Sequence, residues 1–155
     1  VVNKPAKEPE TQRKSTEKDT GIKQAQRMLL TWICDEPSIY GRISKHPGVE
    51  NFTEPIYGKV AQVIFKQIEE KCFHPESILN SFEGEEHSVV AGILNTNIVR
   101  EDAAFKDKER AINDAVKIIL ENSYRIQNEK ATSLTELQNI MKKQAELKNL
   151  HISLN

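Results

Sequence analysis

From Ile93 to Asn155 the sequence runs without one glycine or proline. Glycine and proline are the residues that most readily stop a helix or supply a tight turn. A stretch this long without them is set to become helix interrupted only by brief caps. Upstream, the prolines fall where helices begin: Pro37, Pro55 and Pro75 each precede an apolar pattern of helical period. No segment alternates convincingly at the two-residue period of a strand. The expected fold is all-α, a multi-helix bundle of about six helices, the last one long, followed by a C-terminal helical hairpin.

The pattern predicts the helices one by one. Asp19 or Thr20 caps a first helix carrying Ile22, Ala25, Met28, Leu29, Trp32 and Ile33, ending near Asp35. A short second helix carries Ile39, Tyr40 and Ile43, and His46-Pro47-Gly48 breaks it. Thr53 is the expected N-cap of a third helix, with Pro55 in its first turn and Phe52 and Tyr57 placed as a hydrophobic staple. Ile56, Tyr57, Val60, Ala61, Ile64, Phe65 and Ile68 line one face of it. His74-Pro75 opens a fourth helix with Ile78, Leu79 and Phe82, and a fifth runs from about Glu85 to Leu94. The sixth runs from about Ala104 to Lys130, its stripe made of Phe105, Ala111, Ile112, Ala115, Val116, Ile119 and Ile126. Ile118 and Leu120 fall beside that stripe. Ser133 caps the last helix, with Glu136 completing a capping box. The candidate core residues are Trp32, Phe52, Tyr57, Ile64 and Phe65. Trp32 could serve as a docking anchor, but its spacing with Met28, Leu29 and Ile33 favours packing inside.

Residues 1–18 hold almost no large apolar side chain after two valines, and such a segment cannot offset its ordering entropy by burial. They read as a flexible tether from something upstream. Residues 19–124 read as the bundle and 125–155 as the hairpin.

Composition excludes several functions. A net charge of −1 gives no surplus with which to neutralise phosphates, which argues against nucleic acid as the main ligand. His46, His74, His87 and His151 show no metal-ligand spacing with one another or with Cys34 and Cys72, so no metal is expected. Glu85-Glu86 and Asp107 sit where acidic residues favour helix N-termini rather than as a catalytic pair. The two cysteines read as reduced, half-buried thiols. No apolar run approaches the roughly 20 residues that span a bilayer, and the expected location is cytoplasmic.

The last helix carries more apolar positions than one facing helix covers. Leu134, Leu137, Met141 and Lys148 fall on one line, and Ile140, Leu147 and Leu150 on a neighbouring one, with Ile152 and Leu154 beyond. Either the hairpin folds back on the bundle or its apolar rim awaits a partner, and the pattern leans to the second. Lys142, Lys143 and Lys148 read as a solvated face, or as charges that steer an acidic partner.

The chain resembles the C-terminal domain of bacterial DNA primases of the DnaG type, particularly those of clostridia. The resemblance is carried by Leu29-Leu30-Thr31-Trp32 before Pro37-Ser38-Ile39-Tyr40, and by Phe52-Thr53-Glu54-Pro55-Ile56-Tyr57. Ser81-Phe82-Glu83 leading to Ile93-Leu94-Asn95-Thr96, and Lys108-Glu109-Arg110-Ala111-Ile112-Asn113-Asp114, extend it. Lys142-Lys143-Gln144-Ala145-Glu146-Leu147 through His151-Ile152-Ser153-Leu154 completes it, covering about residues 21–155. No piece is diagnostic alone; their order and spacing carry the likeness. It implies a non-catalytic domain that binds the N-terminal domains of the hexameric replicative helicase and brings the primase to the fork. It also implies a zinc module and a magnesium-dependent polymerase core elsewhere in the parent protein, with no cofactor in this chain. Single-strand-binding protein is a further partner on this reading, and the state is a monomer able to exchange hairpins into a dimer. Mapped here, the grip falls in residues 132–155, with Gln144, Leu147, Lys148, Leu150 and Ile152 as candidates. The alternative is the helicase's own N-terminal type of helical domain, or another helical adaptor.

Overall fold

A computed structural model describes residues 10–43, 48–95 and 105–154, with the side chains of residues 10–19, Phe105 and Lys106 outside the description. The described residues form seven α-helices and no strand: α1 (Glu10–Asp35), α2 (Ser38–Ile43), α3 (Pro55–Glu69), α4 (Pro75–Asn80), α5 (Gly84–Asn95), α6 (Phe105–Lys130) and α7 (Leu134–Leu147). A 3-10 turn, Val49–Asn51, precedes α3.

Two long helices organise the packing. α1 lies against α6 and also meets α2, α3 and α5. Because neighbours close on it from several sides, consecutive residues Leu29 and Leu30 are both fully buried, as is Ile33. The core is completed by Val60, Ala61, Ile64 and Phe65 of α3, Ile78, Phe82, Val90 and Ile93, and by Ile112, Val116, Ile119 and Leu120 of α6. Trp32 is buried, with the Lys108 ammonium 5.3 Å from its ring centre. Phe52 meets Phe65 edge-on at 5.8 Å, and Tyr40 stacks on the same ring at 4.7 Å. No helix among the described residues is long and apolar enough to cross a membrane.

Several expectations are revised. α1 is already helical at Glu10, ahead of the expected cap at Asp19 or Thr20; Glu10–Lys18 is rich in residues of good helix propensity, which needs no apolar face to extend a helix already packed downstream. Residues 1–9 of the expected tether lie outside the described residues, as do His46 and Pro47. Thr53 does not cap α3; Glu54 does, without a side-chain bond. The Thr53 hydroxyl is instead the meeting point of the Gln26 and Asn122 amides, which donate to it at 3.0 Å each. With the cap moved by one residue the staple pairing of Phe52 with Tyr57 falls out of register, and Tyr57 is half-buried while Phe52 is buried.

On α6, Leu120 is buried although it falls beside the expected stripe, and Ile126 on that stripe is only half-buried. A single stripe serves a helix covered on one side. α6 is covered by α1 on one side and α7 on another, so its buried sector widens to take in Leu120 and Tyr124.

The α7 face and the C-terminal strap

The link from α6 to α7 is short, Ala131 to Ser133. Ser133 Oγ accepts the Glu136 N–H at 3.1 Å, and Glu136 Oε2 accepts the Thr132 N–H at 3.0 Å. Only half of the expected capping box forms: Ser133 caps α7, but the Glu136 carboxylate bonds the Thr132 N–H rather than that of Ser133. One of the orphaned amides of the first turn of α7, and the Thr132 amide of the link, find partners in this way.

α7 runs back along α6. Glu136, Asn139, Ile140 and Lys143 line a groove with Gln127 and Lys130, and Gln144, Leu147 and Lys148 line another with Lys117 and Glu121. The order of these neighbours is antiparallel. α6 is the main packing partner of α7, and α6 itself is continuous from Phe105 to Lys130, so no break in the chain falls near residue 125.

One apolar line of α7 is spent on this contact. Ile140 is buried, and Leu147 is 7% exposed. Beyond the helix the chain turns and crosses α6 without regular secondary structure, where Ile152 is 5% exposed and Leu150 and Leu154 are half-buried. Asn113 holds this strap through both atoms of its amide. Its Oδ1 accepts the Ile152 N–H at 2.7 Å, and its Nδ2 donates to the Ile152 carbonyl at 2.9 Å. Glu109 adds a contact to the His151 imidazole at 3.1 Å and accepts the Leu154 N–H at 3.4 Å.

The other line stays in solvent. Leu134 is 70% exposed and Met141 63%, with half-buried Leu137 between them and the buried line. Among the described residues one other large hydrophobic side chain is exposed, Ile118 of α6 at 40%. Residues seven apart nearly eclipse one another on a helix, so Leu134, Met141 and Lys148 stand in one row. Lys142, Lys143 and Lys148 are exposed and join no ion pair among the described residues.

The candidates named from sequence therefore divide. Leu147 and Ile152 are buried, their side chains packed within the chain. Leu150 is half-buried beside them. Gln144, half-buried, and Lys148, exposed, remain on the open shoulder of α7. The large apolar side chains of α7 that stand in solvent are Leu134 and Met141. The signal was present in their shared line, but spacing alone does not say which of two adjacent lines α6 covers. Asn113 was not foreseen as a site residue. Its one hint was an amide of modest helix propensity placed among Ile112, Ala115 and Val116.

Some of the remaining chemistry-bearing groups have local structural roles. His74 caps α4, its Nδ1 accepting the Ser77 N–H at 3.1 Å. Burial, aided by the nearby Asp35 carboxylate, pushes the Cys34 thiol up to about 12. Burial and the hydrogen bond to Glu69 push the Tyr40 hydroxyl up to about 12. Among the described residues no group of three or more His, Cys, Asp or Glu side chains is arranged to hold a metal ion. No protein-family model, curated protein or solved structure matches the chain.

Proposed function

We propose that this chain is a docking domain that grips another protein through α7, and that it is the helicase-binding domain of a bacterial DNA primase. The observation that carries the docking reading is the pair Leu134 and Met141. Two large apolar side chains stand in one row on a helix whose neighbouring apolar line is already buried, and they contribute nothing to the core that their exposure would explain. Rows spaced in this way are what a helix presents when it enters or lines an apolar groove on a partner. Exposed Lys148 at the end of the row and Lys142 beside it suit a partner of acidic rim, raising the association rate more than the final affinity.

The specific partner, the N-terminal domains of the hexameric replicative helicase, rests on the resemblance in sequence. On this reading α1 to α6 form the bundle, and α6 with α7 forms the hairpin that presents the grip. The chain is non-catalytic, and zinc and magnesium belong to other parts of the parent protein. The protein works in the cytoplasm at the replication fork.

A titration of the chain against the isolated N-terminal domain of the replicative helicase tests this. Binding is expected, and Leu134→Ser with Met141→Ser is expected to weaken it at least tenfold with the fold intact. Removing residues 132–155 is a poorer test, since it also strips Ile140, Leu147 and Ile152 from the core. Equal binding by the double variant would remove the α7 row from the interface. Absence of binding by the unaltered chain would overturn the primase reading.

A further inference from the structure

The C-terminal strap is held differently from the rest of the chain. Most of the fold is helix packed on helix, in which each backbone group finds its partner a turn away. His151 to Leu154 lies outside regular secondary structure and has no such ladder. Its backbone is satisfied by side chains of α6 instead: both polar groups of Ile152 by the Asn113 amide, and the Leu154 N–H by Glu109. The Asn113 amide also donates to the Glu109 carbonyl, one turn earlier in α6, at 2.8 Å. That second bond fixes the plane in which the amide meets the strap.

α7 is fastened at its two ends by different means. At its start the covalent turn and the Ser133 and Glu136 caps hold it. At its end Lys148 and Asn149 close a last tight turn, and the strap follows at once. A helix of this length has little stability of its own in water, so its order comes from the contacts at its buried line and its two ends. A segment with few buried side chains, held by a handful of bonds, is the kind that opens locally without global unfolding.

We propose that residues 151–154 are a latch: Asn113 and Glu109 hold them closed on α6, and closure fixes the α7 row that docks the partner. Asn113 is a positioning residue in this device and touches no partner itself. The latch rests on the reading of α7 as the docking helix. When it is closed, Leu147 and Ile152 are buried and Leu134, Met141 and Lys148 form an ordered row. When it opens, the last turn of α7 frays and the Lys148 end of the row must be re-ordered on binding, which lowers affinity.

Amide hydrogen exchange on the full chain tests the latch directly, with Asn113→Ala as the variant. Its removal strands both polar backbone groups of Ile152, and exchange at Ile152, Leu154 and the last turn of α7 should quicken on the order of ten- to a hundredfold, while α1 and α3 keep their protection. Val60→Ala, which loosens the core from α3, is the control for general destabilisation and should not single out the strap. Affinity for the helicase N-terminal domain should fall about two- to fivefold with Asn113→Ala, as the closed fraction falls. Unchanged strap exchange would overturn the latch whatever the helicase does. Quickened exchange with unchanged or tighter binding would overturn its coupling to docking. If the unaltered chain does not bind the helicase domain, the docking reading fails, and the exchange measurement still decides whether the strap is a latch.

Discussion

The Asn51 side chain donates from Nδ2 to Ser123 Oγ at 2.8 Å, joining the turn before α3 to the middle of α6 across 72 residues of sequence. Its Oδ1 accepts the Gly48 N–H at 2.8 Å, and Gln127 donates to the same serine oxygen at 3.1 Å. Both Asn51 and Ser123 are buried, so neither group can turn to water when its partner is lost. Asn51→Ala is expected to destabilise the fold by about 1–3 kcal/mol. Chemical denaturation of the single variants and of Asn51→Ala with Ser123→Ala measures it, and the double variant should lose less than the sum of the two. Full additivity would mean that the pair is not coupled.

The two apolar lines of α7 should separate stability from binding. Leu134→Ser and Met141→Ser alter exposed side chains and are expected to change stability by no more than about 0.5 kcal/mol each. Ile140→Ala and Leu147→Ala leave cavities against α6 and should cost about 2–5 kcal/mol each. Thermal unfolding of all four variants checks the division. A large loss of stability from Leu134→Ser would mean that this side chain is covered in solution.

Lys71 adopts a left-handed backbone with φ of 58° at the end of α3. The Cys72 N–H reaches back to the Gln67 carbonyl at 2.9 Å, closing the helix in the manner that usually employs glycine. Lys71→Gly relieves the steric cost and raises the entropy of the unfolded chain, so its net effect should be small and stabilising, up to about 1 kcal/mol. Lys71→Val should destabilise by at least about 1 kcal/mol. A neutral Lys71→Val in urea titrations would show that the left-handed turn is not held.

The two thiols should behave differently. Cys34 is largely enclosed, with its thiol pushed up to about 12, and Cys72 is exposed. The thiolate is the reactive form, so at pH 8 a thiol reagent should modify Cys72 in the folded protein and reach Cys34 only on unfolding. Mass analysis of the modified protein with and without denaturant reads this. Rapid double labelling of the native chain would contradict the enclosure of Cys34.

Lys108 joins α6 to the end of α1 by an ion pair with Glu36. That hydrogen bond, together with the lysine charge, holds the Glu36 carboxyl below its ordinary value, with a smaller bond from Ser38 assisting against partial desolvation. A carboxyl lowered in the folded state stabilises the fold above the ordinary glutamate range, and that stabilisation is lost as pH falls through the folded value. The pair is half in solvent, so the effect should be under about 1 kcal/mol. Glu36→Gln should lower the neutral and alkaline plateau of the stability profile by that amount and flatten its acid side. An identical acid limb in variant and parent would remove the pair from the account.

Much of the fold is legible in the sequence because helix periodicity is local. Ile64 and Phe65 are assigned inward from the spacing of α3, and Trp32 from that of α1, and each is buried. Ser133 shows the same for a cap, since its bond to the Glu136 N–H spans three residues. Thr53 shows the limit: an equally good cap in sequence, it is drawn into tertiary contact with Gln26 and Asn122, and the cap passes to Glu54.

The proposed docking surface is less legible for the same reason. α7 carries two apolar lines, and nothing within the helix distinguishes them. The distinction is made by α6, which covers Ile140 and Leu147 and leaves Leu134 and Met141 outside. The strap is legible least of all, because Asn113 and Ile152 lie 39 residues apart and meet only once α7 has returned along α6.

The sequence by itself determined that this chain is helical, where most helices start and stop, and that its last helix is too apolar for a single facing helix. Those properties follow from spacing over a few turns and need no knowledge of neighbours. Only the tertiary structure decided which apolar line faces out, which threonine gives up its cap, and what holds the final residues. Each of those outcomes depends on a surface brought from a distant part of the chain, whose coverage no local pattern encodes.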